Sequence, residues 1–172
     1  MPALFINGKE IPPDITQLAE IGSSSGRAYT EVLYVSPGGS NGGGTSWATA
    51  YTTIQGALHA AITSSNEATK IVIWPTATFY NINTTGDPTW TGNYDLVGTH
   101  RLWAPVRNEH ASATAVFKFT GKAGIQDLAI FTDDTNNADG VIFTKSGWRI
   151  RNCGFNSSGT DGASTSIHID GT

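Results

Sequence analysis

Residues 32–80 read VLYVSPGGSNGGGTSWATAYTTIQGALHAAITSSNEATKIVIWPTATFY, and three kinds of local structure follow one another within them. Leu33-Tyr34-Val35-Ser36 is a short β-prone run. It breaks into Pro37-Gly38-Gly39-Ser40-Asn41-Gly42-Gly43-Gly44, too rich in glycine for a regular element to persist. A helix is predicted next, near residues 52–63, with Thr52 as N-cap and Gln55 three residues on at the capping-box spacing. Ile54, Ala57, Leu58, Ala61 and Ile62 fall on one face at helical period, and that face requires cover. The run Ile71-Val72-Ile73-Trp74, apolar throughout and stopped by Pro75, suits a strand buried on both sides.

Downstream a repeat is legible. A shift of 25 residues sets Val116 on Val141, Phe117 on Ile142, Ile125 on Ile150, Asp127 on Asn152, Leu128 on Cys153 and Ile130 on Phe155. The next shift sets Ile142 on Ile167 and Thr144 on Ile169, and Ile71-Val72 falls on Leu96-Val97 at the same offset. A period in the twenties is what a parallel solenoid needs, because each turn places its inward side chains above those of the turn before. Val, Ile, Phe and Thr in these windows favour strand over helix. Between the first strand and the repeat, residues 81–113 read mostly as loop, with short strands near Tyr94–Val97 and Arg101–Trp103.

The order of YVSP, Gly-rich loop, TSWATAYTTIQGALHAAI and IVIWP resembles the N-terminal entry of right-handed parallel β-helix proteins of the pectate-lyase-like superfamily. The resemblance covers about residues 33–80; Thr76 stands where that superfamily usually has a Gly after the strand-ending Pro. It implies an all-β solenoid whose open end is plugged by a capping α-helix. It also brings polysaccharide lyases, glycosidases, epimerases and bacteriophage tailspikes and tail fibres into view as relatives, and one fold hosts all these chemistries.

Composition narrows the field. With 172 residues the chain suits one domain with an appendage, and ten Lys plus Arg against fourteen Asp plus Glu, with no basic cluster, argue against a nucleic-acid surface. Charged residues are only 14%, a balance typical of extracellular or virion all-β proteins. The single cysteine rules out an intrachain disulfide framework. MPALFINGKE lacks the basic and apolar regions of a signal peptide, and no apolar run approaches the ~18 residues of a membrane span.

Residues 1–31 read as an extended N-terminal docking arm and linker, leaving 32–172 as the capped β-helix. Phe5-Ile6 and Glu10-Ile11 flank Asn7-Gly8, a type I′ hairpin signal. Pro12-Pro13 breaks the chain, and Asp14 with Gln17 caps a short helix that sets Ile15, Leu18 and Ile21 on one side. Gly22-Ser23-Ser24-Ser25-Gly26 is a linker by composition. Phe5, Ile6, Ile15, Leu18 and Ile21 are therefore the expected partner-docking residues.

For chemistry, the acidic set Asp127, Asp133, Asp134 and Asp139 is the nearest approach to a catalytic or metal constellation. Asp133-Asp134 sits in FTDDTNNADG, which has the composition of a turn, and Asp127 aligns with Asn152 as a repeat position. His59, His100, His110 and His168 show no metal-ligand spacing. Cys153 aligns with Leu128 and reads as an inert buried thiol. The Gly-rich loop lacks the Lys of a phosphate loop. Trp74 and Trp148 read as packed, whereas Trp90 and Trp103 are the candidate carbohydrate platforms. No catalytic residue, cofactor or metal is assigned.

The reading is a structural component of a bacteriophage virion, of tailspike, fibre or head-decoration type. It would be made in the host cytoplasm and attach through its arm to other virion proteins. A homo-oligomer is expected, with the tailspike resemblance implying a trimer, possible contact with a host surface glycan, and no nucleic acid or membrane insertion. Three or four turns are fewer than the long lateral groove of the enzymatic relatives, and no C-terminal cap follows Ser166–Ile169. The chain is therefore expected either to be part of a longer protein or to be covered there by another subunit. The alternatives are a polysaccharide lyase or glycoside hydrolase on the same fold, or a non-catalytic carbohydrate-binding module.

Overall fold

The computed structural model describes residues 4–6, 9–11, 29–61, 68–82, 89–99, 104–109, 113–132, 139–157 and 167–170. The expected hairpin is present: β1 (Leu4–Ile6) and β2 (Lys9–Ile11) pair antiparallel, with Ile6 opposite Lys9 and two residues between them. Asn7, Gly8 and the predicted helix from Asp14 lie outside the described residues.

Thirteen further strands are β3 (Glu31–Val35), β4 (Thr69–Ile73), β5 (Tyr80–Asn81), β6 (Thr89–Trp90), β7 (Tyr94–Gly98), β8 (Pro105–Arg107), β9 (Ala115–Phe119), β10 (Ala123–Gln126), β11 (Ala129–Thr132), β12 (Asp139–Phe143), β13 (Arg149–Arg151), β14 (Gly154–Ser157) and β15 (Ile167–Ile169). They form three open sheets in which every pairing is parallel. Sheet one runs β13-β10-β7-β4-β3, sheet two β14-β11-β8-β5 and sheet three β15-β12-β9-β6. The chain visits the sheets in rotation, so four successive passes of three strands lie one upon the next. The protein is thus mostly β, built from parallel sheets, in an arrangement compatible with a solenoid.

Register explains the core. In sheet one Leu33, Ile71, Leu96, Ile125 and Ile150 stand in line; in sheet two Tyr80, Val106, Ile130 and Phe155 do the same. Sheet three contributes Trp90, Phe119 and Phe143, with the Phe119 and Phe143 rings stacked at 5.8 Å. These columns meet in a single apolar cluster, in which Ile150, Cys153 and Phe155 of the last pass are only partly buried. Each fully buried member contributes roughly 1.5–3 kcal/mol by leaving water.

The 25-residue shift holds for Ile71 with Leu96, Val72 with Val97, Ile125 with Ile150 and Ile130 with Phe155. Sheet three departs from it. Phe117 pairs with Val141 and Ile142 with His168, offsets of 24 and 26; the pairings Val116 with Val141, Phe117 with Ile142, Ile142 with Ile167 and Thr144 with Ile169 do not form. The reason is parity. A one-residue slip would turn Val141 and Phe143 to the wrong side of a sheet whose inward face carries Phe117 and Phe119. The connections vary in length to keep that face in place.

Helix α1 (Ile54–Ala60) is shorter than expected and starts one residue later. Thr53, not Thr52, is the N-cap, its side chain accepting from the Gly56 amide at 3.0 Å. Thr52 is held instead by Asn41, whose Oδ1 accepts from both its amide and its hydroxyl. The apolar face is as read: Ile54, Ala57, Leu58 and Ala61 are buried, packed towards β3 and β4. Ile62 lies outside the described residues.

The Gly-rich segment is an ordered loop folded against β3, the last strand of sheet one. Tyr34 donates to the Gly44 carbonyl, Tyr51 donates to Tyr34, and Ser36 donates to Tyr51, all within 2.9 Å. Gly44 has a φ of +71°, and a Cβ there would run into the Tyr51 ring, so this position requires glycine. The loop brings Trp47 over Tyr34 and Val72 as a second, smaller apolar cluster. β4 is buried at every position, whereas Trp74, expected to be packed, is 46% exposed just beyond it. Trp148 is also exposed, stacked at 5.5 Å on Phe143. Of the two short strands expected before the repeat, Tyr94–Val97 corresponds to β7, while Arg101–Trp103 lies outside the described residues and a strand is found at β8.

Leu58→Ala is expected to cost about 2–5 kcal/mol through lost transfer energy and the cavity left behind. Urea denaturation of the variant beside the parent measures it; coincident curves would mean that α1 does not seal the core.

Candidate functional site

Strand alternation that turns Ile71, Leu96 and Ile125 inward turns Lys70, Asp95, Gly124 and Arg149 outward, in register across four strands of sheet one. Lys70 is 1% exposed and Asp95 4%, unusual for charged side chains unless they are partnered. Arg149 donates from Nη2 to Asp95 Oδ2 at 3.1 Å, reaching across the intervening β10. Gly124 permits that reach, since a Cβ there would overlap Asp95 Oδ1. Tyr29 closes the group, its hydroxyl donating to the same Oδ2 and its ring lying 5.7 Å from the Lys70 ammonium.

A second outward ladder crosses sheet two, where Asn81, Arg107, Phe131 and Asn156 stand in register. The Arg107 guanidinium lies 4.3 Å from the centre of the Phe79 ring, and Phe79 meets Phe131 edge to face at 4.9 Å. Glu109 pairs with Arg107 and accepts from the Asn81 amide group, while the Asn81 carbonyl oxygen accepts from the Glu109 backbone at 3.2 Å. Arg107 Nε is buried with no hydrogen-bond partner among the described residues. Phe79 stays 39% exposed. An exposed aromatic ring beside a guanidinium, a carboxylate and an amide offers one stacking surface and several directed hydrogen bonds, the combination that suits a polyhydroxylated ligand.

A third surface feature is a run of aromatic rings at the Gly-rich loop. Tyr34, Trp47 and Trp74 meet edge to face at 4.6 and 4.9 Å.

The residues singled out by sequence are placed differently. Trp90 is 6% exposed and belongs to the core, its ring against His59 at 5.0 Å, so neither face is open to solvent for a sugar. Its register opposite Phe119 in sheet three is the cause. Trp103, His100, His110, Asp133, Asp134, Ile15, Leu18 and Ile21 lie outside the described residues. Phe5 and Ile6 lie in β1. Asp127 and Asn152 both adopt left-handed backbone, with φ of 55° and 53°, at the same corner of successive passes, and the Asn152 amide donates to the Asp127 carboxylate. That is the repeat position the alignment indicated. Asp139 instead bonds His168 at 3.0 Å. Among the described residues no three His, Cys, Asp or Glu side chains converge as a metal site would need.

Cys153 is partly buried and donates to the Arg151 carbonyl at 3.3 Å. Burial raises its thiol pKa, which lowers the thiolate fraction and with it the reactivity. The Phe79–Arg107–Phe131 cluster was missed because its members are far apart in sequence, on or beside strands too short to show period; the offsets of 26 and 24 from Asn81 to Arg107 to Phe131 are the signal that would have found it.

No protein-family model matches the chain, and neither the curated proteins nor the solved structures contain a match.

Removing the Asp95 carboxylate leaves buried Lys70 without its neighbouring negative charge. Asp95→Ala is expected to destabilise by about 3–5 kcal/mol, whereas exposed Arg151→Ala should stay within about 0.5 kcal/mol; thermal melts of both variants make the comparison.

Proposed function

We propose that the chain is a right-handed parallel β-helix with an N-terminal helical cap, serving as a structural component of a bacteriophage particle and attached to it through its N-terminal arm, residues 1–31. The observation that carries this reading is the separateness of the hairpin. Among the described residues β1 and β2 pair only with each other and join none of the three parallel sheets. A two-stranded hairpin is marginal in water by itself, so it gains most by packing against a partner, either the same segment of a second and third copy or another virion protein. The body supports a scaffolding role, because several of its outward polar side chains are tied across passes, Asp95 to Arg149, Asn81 to Glu109 and Asp127 to Asn152. Those ties favour a rigid surface over one with groups left to act on a substrate.

Deleting residues 1–21 is expected to leave the circular dichroism and melt of the body unchanged and to abolish incorporation into particles, read by complementation and particle composition. A deletion variant that still enters particles at the parent's level overturns the attachment role.

The sheet-two cluster favours a second reading, a carbohydrate-binding surface centred on Phe79 and Arg107. Titration with oligosaccharides from the host surface should show binding that Phe79→Ala and Arg107→Ala each weaken by about tenfold or more, as central aromatic and Arg contacts do. Equal binding by parent and variants removes this reading and leaves the structural one standing.

A further inference from the structure

Tyr29 belongs by sequence to the appendage, yet its side chain is fixed on the body. Its hydroxyl donates to Asp95 on the second pass and its ring covers Lys70 on the first. The oxygen it bonds is the one that Arg149 of the fourth pass also bonds, at 3.1 Å. On the third pass, the position in register is Gly124, the residue that lets the Asp95 carboxylate lean across. One step along, Thr30 donates its amide to the Ala68 carbonyl at 3.0 Å, and the Thr69 hydroxyl donates to Glu31 at 2.9 Å.

We propose that Tyr29 is a strap that couples the N-terminal segment to the first, second and fourth passes of sheet one, through its ring on Lys70 and its hydroxyl on the Asp95 carboxylate that Arg149 shares. The inference deepens the attachment reading, since it names where force or displacement of the segment enters the body. It stands on the isolated chain whether or not the N-terminal arm docks to a particle. A tie made only at β3 would transmit movement to the first pass alone. The shared Asp95 oxygen carries it to Arg149, whose strand is the far side of the sheet. Tyr29 and Arg149 both donate to this carboxylate, so removing the Tyr29 hydroxyl leaves Asp95 with fewer donors and its bond to Arg149 less firmly oriented.

Hydrogen exchange on the full chain, read residue by residue for the parent, Tyr29→Phe and Tyr29→Ala, tests the proposal. The expected result in both variants is exchange about tenfold faster at Thr30 and at the protected amides of β13, the size of losing one charge-assisted hydrogen bond. The amides of α1, away from the ladder, should keep the parent's rates. Acceleration at Thr30 with β13 unchanged would make Tyr29 a local tie and overturn the strap. Equal acceleration throughout, α1 included, would report global destabilisation and overturn it as well. Because no particle is involved, these outcomes are independent of whether the deletion of residues 1–21 blocks incorporation.

Discussion

Successive passes of parallel strands bury one continuous apolar face only when their inward side chains stand in line, and the core of the body depends on that condition. Leu33, Ile71, Leu96, Ile125 and Ile150 satisfy it in sheet one by standing directly in line. Where the intervening chain differs in length, the condition still governs. Leu96 and Ile125 are 29 residues apart, yet they occupy adjacent places in the column. Connections absorb the variation, because a loop can lengthen at small entropic cost while an inward leucine cannot turn outward without losing its burial.

The same condition decided how much could be read from the residues. β4 was legible because three of its five buried positions, Ile71, Val72 and Ile73, form a continuous apolar run, and Ile125 with Ile150 was legible because they stand at the 25-residue offset that Ile71 and Leu96 also keep. Asp127 and Asn152 were legible as a repeated corner, their chemistry suited to left-handed backbone. β5 and β6, two residues each, are too short to show any period. The Trp90 assignment failed for that reason, since nothing in Thr89-Trp90 marks it as a strand stacked on Phe119. The N-cap lies one residue later than the spacing suggests, and Asn41, eleven residues upstream of Thr52, holds both the amide and the hydroxyl of Thr52 outside the helix. Local spacing holds no trace of so distant a partner.

Polar surface chemistry was the least legible part. Lys70, Asp95 and Arg149 look like ordinary scattered charges in a line of sequence, and only register reveals that they lie on one ladder with Gly124 between them. Arg107 and Phe79 are likewise brought together by the stacking of passes. In stacked parallel sheets of this kind the outer face is written across passes, and the neighbours that matter are about a pass length apart.

The Gly-rich loop has a consequence for how the molecule meets others. A strand at the side of a sheet ordinarily offers a row of amides and carbonyls to any extended chain that drifts past, and uncontrolled association through such rows leads to fibres. Between Tyr34 and Ser36 that row is already occupied by Gly44 and Tyr51 of the chain itself. An incoming peptide would have to displace a loop whose backbone turns at Gly43 and Gly44 in conformations that other residues rarely adopt. At this border the glycine-built loop therefore covers backbone groups that would otherwise be open to pairing, and a side chain at Gly44, which would meet the Tyr51 ring, would disturb that cover.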